Sequence, residues 1–284
     1  MIEVKDLMFK YPKAKEKTLK ELNFKIDKGE IFGFLGPSGA GKSTTQKILI
    51  GILKDYLGSV KILGKEIINW NTDFYEKIGV SFELPNLYHK LTALENLDFV
   101  KSFYSGKKED SKKLLEMVGL EKNADVKVSK YSKGMKMRLN FVRAFIHNPD
   151  IVFFDEPTSG LDPLNAKNIK NIIMEKKHQG KTIFLTTHNM TVADELCDRV
   201  AFIVDGEIKL IDSPKKLKIE HGKRNIKVEY IDKNKFQEKD FALKGIGYND
   251  EYIKLLREKE IKTIHTQEAT LEDIFVQTTG RKLL

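Results

Sequence analysis

The sequence predicts an α/β fold built around a phosphate-binding loop, and three observations carry that expectation. Residues 36–44 read GPSGAGKST directly after the apolar run Ile31-Phe32-Gly33-Phe34-Leu35. Residues 151–154 (IVFF) form an unbroken apolar run ending in Asp155 and Glu156. Strand-like and helix-like segments alternate between and beyond these two points. An unbroken apolar run suits a parallel strand buried on both faces, and open α/β sheets bind ligands at the carboxyl ends of such strands.

Taken in order, residues up to about 22 predict an N-terminal antiparallel β segment. Asn23-Phe24-Lys25-Ile26 leads into Asp27-Lys28-Gly29, a hairpin signal. The phosphate loop follows: Gly36, Pro37, Ser38, Gly39, Ala40, Gly41, Lys42, Ser43 and Thr44 fit G-x-x-x-x-G-K-[ST]. A triphosphate crowds negative oxygens together, so backbone N–H groups must approach closely, which glycine permits. Lys42 supplies positive charge to the β and γ phosphates, and the Ser43 hydroxyl suits a Mg²⁺ ligand. The helix predicted over residues 44–52 starts near Lys42 and points its positive dipole end at the same phosphates.

Residues 87–140 are expected to be mostly helical, with apolar residues at helical spacing over 91–103 and 112–118, and a further helix over 136–145. Asp155, at the end of the second buried strand, can reach Mg²⁺ through water. Glu156 beside it is placed to act as general base on the water that attacks the γ-phosphate. Residues 164–179 predict an amphipathic helix with Ile169, Ile172 and Ile173 inward and Gly180 to stop it. A strand over 182–186 delivers His188 at its end, and Asp205-Gly206 joins strands 200–204 and 207–211 as a two-residue turn.

Ser213-Pro214 marks a boundary. Residues 1–212 are read as the nucleotide domain, with a helical insertion over about 87–145, and residues 213–284 as a small α+β C-terminal module. That module carries a strand at 226–231, a helix at 250–259, a strand at 261–265, and a last helix capped by Thr270 with Asp273 in its first turn.

On these motifs the chain resembles the nucleotide-binding subunit of an ATP-binding cassette (ABC) transporter, a P-loop NTPase with an antiparallel β subdomain and an inserted helical subdomain. YSKGM at 131–135 aligns with the family signature LSGGQ, which implies that Ser132 and Gly134 bind the γ-phosphate of ATP held by the opposite subunit. Ser159-Gly160-Leu161-Asp162 matches the D-loop that crosses the dimer interface, with Asp162 at its end. His188 in LTTHNM matches the switch histidine, and Tyr11 in FKYP the aromatic that stacks on adenine.

The resemblance further implies ATP with Mg²⁺, a homodimer or heterodimer of ATPase subunits, and a separate integral membrane permease. The permease's coupling helix would dock near residues 83–96, with Leu87, Tyr88, Leu91 and Leu94 as candidate contacts or, equally, as core. ATLEDIFVQTTGR at 269–281 resembles the C-terminal end of drug- and antibiotic-export cassettes of the daunorubicin-resistance type. It implies export of a drug, antibiotic or lipid-like compound; the other reading is a structural or dimer-stabilising tail. Three positions depart from the pattern. Glu83 stands where the family usually has a Gln that senses Mg²⁺ and the γ-phosphate, so Glu83 is a candidate metal ligand or a tolerated loop residue. Lys133 and Met135 replace signature residues, and Met137 stands where relatives often have a polar residue.

Composition narrows the class. No apolar run approaches the about 18 residues that span a bilayer, and MIEVKDLMFKYP lacks a charged-then-apolar signal segment. The expectation is a cytoplasmic protein, peripheral on the inner face of the cell membrane. The single cysteine, Cys197, excludes an internal disulfide and reads as packing. The net charge of +9 is spread among acids, from Lys107 to Lys113, Lys127 to Arg138 and Lys215 to Arg224, so a solvated surface is preferred over a membrane or nucleic-acid patch and no nucleic acid is expected. The five histidines other than His188 show no ligand spacing. The alternative class is a soluble ABC-type ATPase acting on ribosomes or nucleic acid. Against it, the chain has one phosphate loop and one signature where translation-factor relatives usually fuse two cassettes, and it lacks the heptads of repair-type coiled coils. A simple P-loop kinase or GTPase lacks the signature and DEPTSGLD.

Overall fold

The first two strands alternate buried and exposed positions, as a sheet with one covered face requires. The computed structural model describes residues 1–222, 225–233, 235–267 and 269–281, and these divide into units Met1–Ser213 and Pro214–Arg281. The first unit runs β1 (Ile2–Phe9), β2 (Leu19–Ile26), β3 (Ile31–Leu35), α1 (Lys42–Leu49), β4 (Leu57–Ile62), β5 (Lys65–Glu66), β6 (Ile78–Ser81), α2 (Ala93–Lys101), α3 (Ser111–Met117) and α4 (Lys133–Arg143). It continues with β7 (Ile151–Asp155), α5 (Pro163–His178), β8 (Thr182–Thr187), α6 (Met190–Leu196), β9 (Arg199–Val204) and β10 (Glu207–Asp212).

An antiparallel sheet of order β2-β1-β4-β5 faces a six-stranded sheet of order β10-β9-β3-β8-β7-β6. Strands β9, β3, β8, β7 and β6 are parallel, and β10 adds antiparallel at the edge. Every residue of β3, β7 and β8 is buried, the pattern of central parallel strands with both faces covered. One face packs on the antiparallel sheet through Phe24, which stacks on Phe32 at 5.7 Å, and Phe34 continues to Phe184 at 5.6 Å. On the opposite face Phe154 of β7 stacks at 4.8 Å on Phe141 of α4. Because side chains alternate along a strand, Phe153 and Phe154 serve the two faces, and the polar Asp155 is delivered at the strand's end.

Asp27-Lys28-Gly29 is not a hairpin. β2 pairs with β1, whereas β3 lies between β8 and β9 in the other sheet. A strand buried on both faces needs parallel neighbours, and the turn carries the chain between the two sheets; the Gly29 N–H donates to Thr182 Oγ1 at 2.9 Å.

The helix after the signature begins three residues earlier than expected. Ser132 is its N-cap, Oγ accepting the Met135 N–H at 3.2 Å, so Lys133 and Gly134 belong to the first turn of α4. Such a cap contributes about 1 kcal/mol, comparable to what a helical glycine costs. Of the candidate docking residues, Leu87 is buried and belongs to the core, Tyr88 is half exposed, and Leu91 and Leu94 are partly buried.

The second unit contains α7 (Pro214–His221), β11 (Asn225–Asp232), β12 (Lys235–Ala242), α8 (Asp250–Glu258), β13 (Glu260–Gln267) and α9 (Leu271–Thr279). Its antiparallel sheet has the order β12-β11-β13 around Ile226, Val228, Phe241 and Leu255. Strand β12, KFQEKDFA, was not expected: only Phe241 is buried, and its pairing with β11 holds an edge strand that has no apolar alternation to announce it. Thr270 and Asp273 form a reciprocal capping box on α9. Lys223 and Arg224 of the basic run lie outside the described residues. Among the described residues no helix is long and apolar enough to cross a membrane.

Candidate nucleotide site

The chain leaves β3 at Leu35, turns through residues 36–41 and enters α1 at Lys42, so the first free N–H groups of that helix face the turn. A Cβ on Gly36 would stand 2.1 Å from the Ile203 carbonyl oxygen, and on Gly41, at φ 110°, 2.6 Å from Leu19 Cδ2. Glycine at these two positions lets the loop lie against β9 and β2. Gly39, at φ 80°, has nothing within 4 Å of such a Cβ and borders open space. The Lys42 ammonium donates to the carbonyls of Gly36 at 2.6 Å and Pro37 at 3.0 Å. Burial lowers its pKa, while the carboxylates of Glu156, Asp155 and Glu83 oppose that shift.

At the end of β7, Asp155 Oδ2 lies 3.4 Å from Ser43 Oγ, and Oδ1 accepts from the Thr186 hydroxyl. Burial raises the Asp155 pKa, and the neighbouring Glu156 charge adds to the rise against the hydrogen bond from Thr186. Glu156 is 7% exposed and holds a left-handed φ of 49°, an uncommon conformation for a residue with a side chain. Its Oε2 accepts from Thr187 Oγ1 at 2.9 Å. Its Oε1 accepts the His188 N–H at 2.9 Å and lies 2.6 Å from His188 Nδ1.

A cavity of about 350 Å³ gathers Ser38, Gly39, Gly41, Lys42, Ser43 and Thr44 of the loop with Glu83, Asp155, Glu156 and His188. Tyr11 meets the site at its edge, its hydroxyl 3.3 Å from Thr44 Oγ1. Ser132, Gly134 and Asp162 do not line this cavity. They form a second group: Leu161 Cδ2 lies 3.7 Å from where a Gly134 Cβ would stand, and Asp162 caps α5 by accepting the Asn165 N–H at 3.0 Å.

The arrangement suits a polyphosphate. It offers a glycine cradle open at Gly39, a cation held at the loop by two carbonyls, and helix N–H groups. Ser43 and Asp155 present adjacent oxygens, the donor type that a hard divalent cation takes when phosphates and water complete its shell. Glu83 is exposed and borders the same space.

Two contributions were missed in the sequence. Thr186 and Thr187, which orient Asp155 and Glu156, read there only as strand residues. Asn140 and Arg143 tie α4 to the loop that carries Glu83: Asn140 Nδ2 donates to the Phe82 carbonyl at 2.8 Å, and the Arg143 guanidinium donates to Asn140 Oδ1 at 2.8 Å and to the Asn86 carbonyl. Their positions three apart on one helix face were the available signal.

The chain is similar to known proteins over its whole length. The ABC transporter family model matches residues 19–159, and the model for the fluoroquinolone efflux ABC transporter C-terminal domain matches residues 224–268. The chain is 52% identical over 284 residues to a fluoroquinolones export ATP-binding protein of Mycobacterium tuberculosis (strain CDC 1551 / Oshkosh), spanning 100% of this chain and 94% of that one. It is 32% identical over 301 residues to a bacitracin transport ATP-binding protein of Bacillus licheniformis, spanning 99% and 97%. A solved ATP-binding cassette, a dimer in a post-hydrolysis state bound to ADP and Pi, superposes with a TM-score of 0.69 at 30% identity, covering 75% of this chain and 98% of that one.

Proposed function

The chain belongs to the ABC transporter family as an ATP-binding subunit, and from that premise we propose that two such subunits close on two ATP–Mg²⁺ and drive a separate membrane permease that exports a drug-like or antibiotic compound. One observation carries the chemistry: Glu156 is buried and gripped by Thr187 and His188 on the wall of the cavity that Lys42 and Ser43 also line. Residues 1–212 supply the nucleotide machinery, and residues 213–284 are an accessory module.

Lys42 and the loop N–H groups bind the β and γ phosphates, and Tyr11 stacks on the adenine. Ser43 and Asp155, with Glu83 lining the same cavity, would hold Mg²⁺, which would supply neutralising charge to the phosphates. Glu156 Oε1 and Oε2 each accept a hydrogen bond that fixes the carboxylate, leaving it to orient a water and take its proton as that water attacks the γ-phosphate. His188 holds Glu156 through Nδ1. Ser132 and Gly134 of a second subunit, with Asp162 at its D-loop end, complete the γ-phosphate shell, so that ATP binding favours the closed dimer and hydrolysis releases it.

The exported class follows from the fluoroquinolone and bacitracin relatives and from the match over residues 224–268. These relatives are transport proteins, which favours a permease partner over a ribosome or nucleic acid. Tyr88, Phe99 and Phe103 are exposed and edge-stacked at 4.7 and 5.0 Å, an apolar surface suited to a coupling segment on the cytoplasmic face of the membrane. Isolating the chain from native membranes, identifying the membrane protein that accompanies it, and measuring ATP-driven fluoroquinolone uptake into inverted vesicles test the proposal. Stoichiometric recovery with a permease and uptake that needs ATP are expected. Recovery with ribosomes and no uptake would overturn it.

A further inference from the structure

Asn140, on α4, is 0% exposed, and both polar atoms of its side chain are engaged. The amide nitrogen donates to Ser81 Oγ at 3.0 Å and to the Phe82 carbonyl at 2.8 Å, while Oδ1 accepts from the Arg143 guanidinium at 2.8 Å. Chemistry sets this orientation: a guanidinium only donates and a carbonyl only accepts, so the amide oxygen must face Arg143 and the nitrogen Phe82. Arg143 donates in turn to the Asn86 carbonyl. The two carbonyls held this way bracket Glu83, Leu84 and Pro85, which lie beyond the end of β6, with Glu83 and Leu84 exposed.

The helix that carries this amide is fixed to the sheet. Phe141, next to Asn140, stacks at 4.8 Å on Phe154, and Ser81 pairs in register with that same Phe154, one residue before Asp155. The amide therefore has a set place relative to Asp155, and through Phe82 it passes that place on to Glu83. An apolar side chain of similar size would fill the space without the cost of desolvating an amide, so packing alone does not call for asparagine here. We propose that Asn140 is a positioning residue for Glu83: by holding the Phe82 carbonyl it sets where the Glu83 carboxylate stands relative to Ser43 and Asp155, and so how strongly a divalent cation ties ATP to the chain. This inference rests on the reading of Ser43, Asp155 and Glu83 as the residues of that cation.

The test uses the full chain carrying Glu156→Gln, so that ATP persists, and calorimetry of ATP binding in Mg²⁺ and in EDTA. The readout is the gain in ATP affinity that Mg²⁺ confers. Asn140→Leu removes the amide. Asn140→Asp keeps its shape and the oxygen facing Arg143 but turns an acceptor toward the Phe82 carbonyl. Both are expected to lower the gain about tenfold, with ATP affinity in EDTA within about threefold of the parent. In a Glu83→Ala chain the same substitutions should change the gain by less than about twofold, because no carboxylate is left to misplace. Circular dichroism checks folding; should both Asn140 variants unfold, Arg143→Met, which removes the group that orients the amide, takes their place with an expected loss of about threefold. An equal loss with and without Glu83 would make Asn140 a packing residue and overturn the proposal. An unchanged gain in folded Asn140 variants, where Glu83→Ala lowers it, would also overturn it and leave the cation site standing. If Glu83→Ala itself leaves the gain unchanged, the reading of Glu83 fails and the proposal falls with it.

Discussion

Glu156 and His188 meet twice at one oxygen: Glu156 Oε1 lies 2.9 Å from the His188 backbone nitrogen and 2.6 Å from its Nδ1. The backbone bond fixes the carboxylate to the end of β8, while the ring remains 58% exposed on the cavity side. A buried carboxylate and an exposed ring are therefore linked at one atom, so that on the proposed mechanism a change at the γ-phosphate would reach the base through the ring.

Glu156→Gln keeps an acceptor oxygen for His188 and a polar group for Thr187, so the local structure survives while the base is lost. Turnover is expected to fall by about 10²–10⁴-fold with ATP affinity retained, and the variant should dimerise in ATP. Steady-state hydrolysis and sedimentation check this; near-normal hydrolysis would remove Glu156 from the catalytic role.

Asp155 has a pKa raised by burial above its ordinary 3.8, so the folded state holds a proton more tightly than the unfolded chain. Stability contributed by the protonated form is present at low pH and is lost as pH rises through the folded pKa. Asp155→Asn removes that loss. At neutral pH without Mg²⁺ or nucleotide, its Tm is expected to exceed that of wild type, with the gain shrinking as pH falls toward 3.8, while Mg²⁺-dependent hydrolysis is lost. Thermal unfolding at several pH values decides it. A lower Tm for the variant at neutral pH would contradict this account of Asp155.

Glu83 borders the cavity and acts on Lys42 through its charge. A carboxylate there attracts a divalent cation and repels the γ-phosphate, whereas glutamine is neutral. Glu83→Gln is expected to shift the Mg²⁺ concentration for half-maximal ATPase severalfold, and Glu83→Ala to reduce permease coupling more than ATP binding. Superimposable Mg²⁺ titrations with unchanged transport would make Glu83 an ordinary loop residue.

Every cavity-lining residue precedes Ser213. A chain ending at Ser213 is expected to fold and bind ATP with affinity within about threefold of the full chain, and to lose at most dimer stability or partner regulation. Circular dichroism and nucleotide titration check this. A folded truncation that cannot bind ATP would place the second unit in the site.

The phosphate loop and Asp155-Glu156 were legible because their chemistry needs fixed residues at short spacing, whereas His188, 32 residues beyond Glu156, was named only through the family resemblance. The buried strands were legible because IFGFL and IVFF permit no exposed face. Thr186 and Thr187 were not, since threonine in an apolar strand reads as a β-former until the facing carboxylates are known. The start of α4 was misplaced because Gly134 argues against helix, and the Ser132 cap that offsets it is a geometric fact. Asp27-Lys28-Gly29 carries local turn chemistry only; which sheet the next strand joins is decided by burial across the whole domain. Tertiary packing likewise governs Leu87, a plausible surface residue by position that the fold buries.

The central claim, that each ATP is hydrolysed between the phosphate loop of one subunit and the signature of another, is tested most directly by mixing Lys42→Ala with Ser132→Arg chains, each inactive alone. In the heterodimer one site carries both lesions and the other carries none. The account predicts ATPase recovery to about half of wild type per heterodimer. Proven heterodimers that hydrolyse no more than either parent variant would contradict it.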